Sequence, residues 1–212
     1  ILLLKQPWSI ISYMFLHFDF IHILFNLLYV YWFGRLFLSF FTQKQFVGLY
    51  LIGGIFGAIF YIASFNLLPY FASIKEHSYL LGASAAALAI VMAIAVTAPN
   101  KEIRLTFIGN VKIKYIALVF FLLDFISITS FNPGGHIAHI GGMFAGYLFA
   151  IRIKKGKDIT KSINSFLDFF VNFFSKKPKM KVSYRNNKNI EWEYNQKKKE
   201  SNEQVDSILD KI

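Results

Sequence analysis

Two residues inside apolar runs of this chain have the side chains that hydrolytic chemistry needs. Ser84 lies in the stretch Leu80-Leu-Gly82-Ala83-Ser84-Ala85-Ala86-Ala87, and His139 in His136-Ile-Ala-His139-Ile-Gly141-Gly142-Met-Phe-Ala-Gly146. A serine hydroxyl is a weak nucleophile until a neighbouring base takes its proton. A neutral His139 can be that base, and burial favours the neutral imidazole. No carboxylate stands near His139 in the sequence, and Asp124 is the only acidic candidate. The pair therefore reads as a Ser–His dyad rather than a triad. Each residue also has a plain structural reading. Serine in a membrane helix usually bonds the carbonyl four residues back, and histidine can tie one helix to the next.

Two local patterns favour the chemical reading. Gly82 and the alanines around Ser84 leave a notch that a substrate backbone or another helix can approach closely. Gly142 and Gly146 make a small-xxx-small face, with His139 one turn before Gly142 on that face. If the Gly82–Ala87 stretch packs there, Ser84 and His139 meet.

A third group lies upstream, in His17-Phe-Asp-Phe-Ile-His22-Ile-Leu-Phe-Asn26. His22 and Asn26 are four apart and share a helix face, so a pair of donors can aim at one target. His17 lies about 140° round the same helix, nearer the outer surface, where it would hold the loop leading in. A tetrahedral oxyanion needs preorganised donors, and loss of one costs about 3 kcal/mol. His22, Asn26 and the backbone N–H groups at Ser84 are the candidates. The alternative is that His22 and Asn26 only bond neighbouring helices.

The elements that must carry these residues are membrane spans. Of 212 residues, 55% are hydrophobic and 25 are phenylalanine, too much apolar surface for a soluble core of this size. Five runs of suitable length and hydropathy lie at about 16–41, 46–68, 79–98, 115–131 and 137–151. Polar stretches separate them: residues 42–45, 69–78, 99–114, and Asn132-Pro133-Gly134-Gly135, which is strong loop chemistry. The net charge of +11 sits mostly in the tail: residues 1–150 hold 8 Lys+Arg and 4 Asp+Glu, residues 151–212 hold 15 and 8. Anionic lipid on the inner leaflet explains this more simply than nucleic acid. Absence of cysteine excludes disulfides and thiolate metal sites. Lys44, the 99–114 segment and the tail are the Lys/Arg-rich connections, hence cytoplasmic, which leaves residues 1–15, 69–78 and 132–136 outside. His22, Ser84 and His139 then share one depth, within about two turns of the outer face.

Taken together, His17-x4-His22-x3-Asn26, Gly82-x-Ser84 and Ala138-His139-x2-Gly142-x3-Gly146 resemble the rhomboid intramembrane serine proteases. The segment from Pro7-Trp8 through Tyr13 to His17, and Phe33-Gly34-Arg35, are similar as well. The resemblance covers about residues 5–152. It implies an all-α, polytopic transmembrane helix bundle of six helices, five visible and the first preceding residue 1. A cleaved signal peptide would also explain an external start. It implies Ser84 as nucleophile and His139 as general base, with His22, Asn26 and the Ala83–Ser84 backbone as oxyanion site. Gly82, Gly142 and Gly146 pack the helices at the site. Substrates would be membrane proteins cut near the outer end of an unwound transmembrane helix, with no cofactor, metal or ATP. The fourth visible span would border the substrate entrance. Two positions depart from the family pattern: Ala85 where glycine is frequent, and Leu88 where an aromatic residue is frequent.

This divides the chain into a rhomboid-like domain, 1–152, and a basic cytoplasmic tail, 153–212. Within the tail, residues 159–174 place Ile159, Ile163, Phe166, Leu167, Phe170 and Phe174 at helical spacing. They form an amphipathic helix on the inner leaflet or one packed under the bundle. Residues 176–189 read as a basic linker. Val205, Ile208, Leu209 and Ile212 form a stripe on a last helical segment that runs to the chain end without a stop signal. Two rival functions remain. One is a catalytically silent rhomboid-like protein that binds membrane clients, against which the retained Ser84 and His139 speak. The other is a transporter relaying protons through His17, His22, His136 and His139, which predicts polar groups through the full membrane depth. The expected setting is a bacterial inner membrane; the oligomeric state has no signature in the sequence.

Overall fold

The computed structural model describes residues 5–106, 108–129, 132–174 and 188–209. Its body is five helices: α1 (Phe20–Leu38), α2 (Gln43–Leu67), α3 (Ser84–Thr97), α4 (Ile113–Ile126) and α5 (Pro133–Lys154). Each occupies one of the five apolar runs. By length and composition α1 and α2 can each cross a membrane, and α3 is a shorter apolar helix. Runs of this kind become helices because a helix satisfies its backbone internally where no water can.

Local chemistry, more than hydropathy, sets where the helices begin. Asp19 caps α1 by accepting the His22 N–H at 2.7 Å, so the helix starts at Phe20 and His17 stands ahead of it rather than on it. Thr42 and Gln45 form a capping box at the start of α2. Residues 79–83, expected as the opening of the third span, are not helical. Gly82 has φ of 108°, a conformation glycine adopts without strain, and α3 begins two residues later at Ser84. The Asn132–Gly135 stretch, expected as a loop, instead launches α5. Asn132 accepts the Gly135 N–H at 3.2 Å, and Pro133 takes the first helical position, where its missing N–H costs nothing. The connection at 99–114 holds a hairpin of β1 (Glu102–Leu105) and β2 (Gly109–Lys112), antiparallel with Glu102 opposite Lys112.

α3 is the central helix and touches α1, α2, α4 and α5. From Ala85 to Ala95 every residue but Met92 is buried. Its alanines lie against glycines of its neighbours. A Cβ at Gly142 would collide with the Ala85 carbonyl oxygen, and one at Gly146 with that of Ala89. On α2, a Cβ at Gly57 would come within 2.8 Å of the Ala85 Cβ. Close backbone approach of this kind is how helices gain dispersion contact without a hydrophobic drive. Phe37, Leu49, Ile94, Ile113 and Phe149 close the core towards the other end of the bundle. Outward, Phe25, Leu27 and Trp32 of α1 and Leu118, Leu122 and Phe125 of α4 are exposed, as suits a surface facing acyl chains.

Two compact units divide the chain, residues 1–173 and 174–212. Helix α6 (Lys161–Phe174), which belongs to the first but for its last residue, has no buried residue, and Phe166 and Phe169 are exposed. Its start is tethered to α2. Asp158 accepts from the Thr160 hydroxyl and N–H at 2.6 and 2.8 Å, and from Gln45 at 3.0 Å. The fully buried Thr160 sits over Gly48, where a Cβ would leave only 2.5 Å. The second unit contributes helix α7 (Lys188–Leu209). The basic linker expected at 176–189 lies mostly outside the described residues, as do the side chains of the Val205–Ile212 stripe.

Candidate active site

Ser84 is the first residue of α3, and the preceding Ala83 has no side chain to cap it. The first-turn N–H groups of a helix lack intrahelical partners and carry a partial positive charge. The serine hydroxyl therefore stands beside free backbone donors. His139 lies in the second turn of α5. α3 and α5 run in the same direction, held in register by the Ala85–Gly142 and Ala89–Gly146 contacts. That register brings the His139 Nε2 to 2.6 Å from the Ser84 Oγ.

The other imidazole nitrogen also has a partner, the acidic candidate that the dyad reading left out. Asp124, near the end of α4 and only 7% exposed, places Oδ1 2.8 Å from the His139 Nδ1. The same oxygen is 2.8 Å from the Nδ1 of His136, one turn earlier on α5. The signal available in the sequence was that Asp124 is the one acidic residue in the middle of the apolar run at 115–131, an expensive placement unless paired.

His22 and Asn26, in the first two turns of α1, both face the backbone just before Ser84. The positive φ of Gly82 and the lack of a Cβ make this possible, since a Cβ there would be 2.8 Å from the His22 Nε2 and 3.7 Å from the Asn26 Nδ2. The Phe18 N–H approaches the His22 Nδ1 at 3.4 Å, so Nδ1 accepts and Nε2 carries the proton. Asn26 is buried and donates one of its two amide hydrogens to the His22 carbonyl at 2.9 Å. His17 packs edge-on against His22, ring centroids 5.0 Å apart. The leading segment inserts beneath. Tyr13 donates its hydroxyl to the Gly54 carbonyl at 2.7 Å, while its own carbonyl takes the Gly82 N–H at 3.0 Å.

Next to this group lies a cavity of about 1010 Å³, lined by His22, Tyr70, Ser78, Leu81, Thr129 and Pro133 among others. It occupies the end of the bundle where α1, α3 and α5 begin.

The family model for the Rhomboid domain matches residues 4–155, most of the chain. This chain belongs to the rhomboid family. No curated protein and no solved structure gives a match. Rhomboid proteins are integral membrane proteins built as polytopic helical bundles, and the family is one of intramembrane proteases acting on membrane-protein substrates. The Rhomboid match spans every residue described at the site, from His17 to Gly146.

Asp124 Oδ1 and the Nδ1 atoms of His136 and His139 lie within 4.8 Å of one another, a spacing that one cation could bridge. All three are engaged in the hydrogen bonds just described. A cation there would take the Nδ1 lone pairs of both histidines in place of their hydrogen bonds to Asp124.

Proposed function

We propose that this rhomboid-family protein is a serine endopeptidase that hydrolyses peptide bonds in or near transmembrane segments of membrane proteins. The observation that carries this reading is the 2.6 Å contact between the Ser84 Oγ and the His139 Nε2, at an uncapped helix N-terminus. In the first step the Ser84 Oγ bonds to the scissile carbonyl carbon and its proton passes to His139 Nε2. The developing oxyanion takes hydrogen bonds from the Ala83–Ser84 backbone, the His22 Nε2–H and the free amide hydrogen of Asn26. His139 then gives its proton to the departing amine, leaving an acyl ester on Ser84. Water, deprotonated by His139, cleaves that ester and restores the hydroxyl.

The depth of the pair favours substrates unwound near one end of a membrane helix, because the peptide carbonyl must lose its helical partner before it can be attacked. The cavity beside His22 offers room for such a segment. Lys/Arg asymmetry supports an orientation with that end outside a bacterial inner membrane, the tail cytoplasmic and α6 along an anionic inner leaflet. The test is a cleavage assay with purified protein in liposomes and a panel of labelled single-span substrates. Cleavage that Ser84→Ala and His139→Ala abolish supports the endopeptidase. Binding of such substrates without cleavage would support the silent, client-holding alternative.

A further inference from the structure

We propose that Asp124 is a positioning residue for His139, its carboxylate orienting the base of the Ser84–His139 dyad and fixing its tautomer. The inference rests on the endopeptidase reading and adds a positioning residue to it.

The argument begins with cost. A carboxylate at membrane depth is retained only where partners compensate its desolvation. Asp124 is buried, and its Oδ1 has two partners, the Nδ1 atoms of His136 and His139, each at 2.8 Å. An ionised carboxylate only accepts hydrogen bonds, so both Nδ1 atoms carry protons. That fixes the His139 tautomer. With Nδ1 protonated, Nε2 bears the lone pair, and it is Nε2 that lies 2.6 Å from the Ser84 Oγ. The other tautomer would set an N–H against the serine and leave no base.

Charge gives the second half. When Ser84 attacks, its proton moves to Nε2 and His139 becomes an imidazolium next to His136 and within the field of His22. In a low-dielectric site an unpaired cation is costly. The Asp124 carboxylate, already in contact, neutralises it without reorganisation, and no proton needs to reach Asp124. His136 holds the same oxygen from the other side (rings of His136 and His139 6.0 Å apart, at 88°), so the carboxylate cannot swing away from His139. α4 thereby becomes part of the chemistry. A displacement of α4 relative to α5 would break the Asp124 contact and leave His139 without its orienting partner.

The role is testable in the intact chain. Turnover of a transmembrane substrate is measured for the native protein and for Asp124→Asn and Asp124→Glu, with KM and kcat separated. Asp124→Asn should lower kcat about a hundred- to ten-thousandfold with KM changed less than about threefold, and Asp124→Glu should recover at least tenfold of that loss. Rate of covalent labelling of Ser84 by a fluorophosphonate should fall in parallel with kcat. Because a variant at a buried position can fail to fold, the native protein supplies a second measurement: the ¹⁵N spectrum of histidine-labelled protein. His139, assigned by the signal lost in His139→Gln, should show a protonated Nδ1 and a bare Nε2. Full activity in Asp124→Asn, or a His139 protonated on Nε2 in the native resting protein, overturns the role of Asp124 and leaves the endopeptidase standing. A native chain that neither cleaves nor labels would overturn the endopeptidase reading instead, and the role of Asp124 with it.

Discussion

The carbonyl oxygen of Ala85 occupies the space that a side chain at Gly142 would fill. Together with the Ala89–Gly146 contact it holds α5 against α3 directly below Ser84 and His139, so the serine hydroxyl and the imidazole meet because two backbones touch. Gly142→Ala should force the helices apart. Overpacking of this kind costs about 1–3 kcal/mol, and the Ser84–His139 contact should open with it. A lowered thermal midpoint together with lost fluorophosphonate labelling is the expected result. Gly34→Ala, which meets only the edge of the Phe46 ring at 3.0 Å, should be milder on both measures. Equal effects would show that the α3–α5 contact has no special place.

Ser84 and His139 should behave as one unit. Removal of either member of a coupled nucleophile and base costs about as much as removal of both. Ser84→Ala, His139→Ala and the double variant should therefore be equally inactive within error in a steady-state cleavage assay. Additive losses would mean that the two side chains act in separate steps.

Asn26 should matter more to the transition state than to the fold. Its amide makes one hydrogen bond within α1, to the His22 carbonyl, worth about 1 kcal/mol. Asn26→Ala should lower kcat about ten- to a thousandfold while the yield of folded protein stays near native. Unchanged turnover would reduce Asn26 to a packing residue.

The start of α6 should be pH-sensitive while the chemistry does not depend on it. Burial raises the Asp158 pKa, but hydrogen bonds from Thr160 and Gln45 and the charge of Lys161 outweigh it and hold the group below the ordinary carboxylate value. A carboxyl with a depressed folded pKa stabilises above the unfolded value, and that contribution disappears as pH falls through the folded one. Hydrogen exchange in α6 should accelerate only below the ordinary carboxylate range, and Asp158→Asn should remove that dependence. The Lys44–Asp168 ion pair, exposed on both sides, should add little. A chain ending at Lys157 should still cleave in detergent, since every proposed catalytic group precedes it. Loss of activity in that folded truncation would give the tail a role in gating.

Orientation can be read with single cysteines, because the native chain has none. Ser73→Cys, exposed in the connection between α2 and α3, should react with an impermeant maleimide in intact cells, and Lys157→Cys only after lysis. The reverse pattern would place Ser84 and its neighbours at the inner leaflet.

The membrane class, the five helices and the residues worth testing were legible in the sequence. A bilayer leaves an apolar run little choice but a helix, and a polar group inside such a run stands out by its cost. Helix starts were less legible. Asp19, Gly82 and Asn132 act through single hydrogen bonds or one dihedral angle, which a hydropathy window averages away. Pro133, within a stretch of strong loop chemistry, instead opens α5, because proline is excluded from the interior of a helix and welcome at its first position. What only the tertiary structure decided is which polar groups face one another. Asp124 stands 15 residues before His139 across a turn, and nothing in that spacing says that its carboxylate points at an imidazole. The rotation of α4 and the register of α5 on α3 settle it. Those are fixed by alanine and glycine backbones in contact, where the missing side chains carry the information.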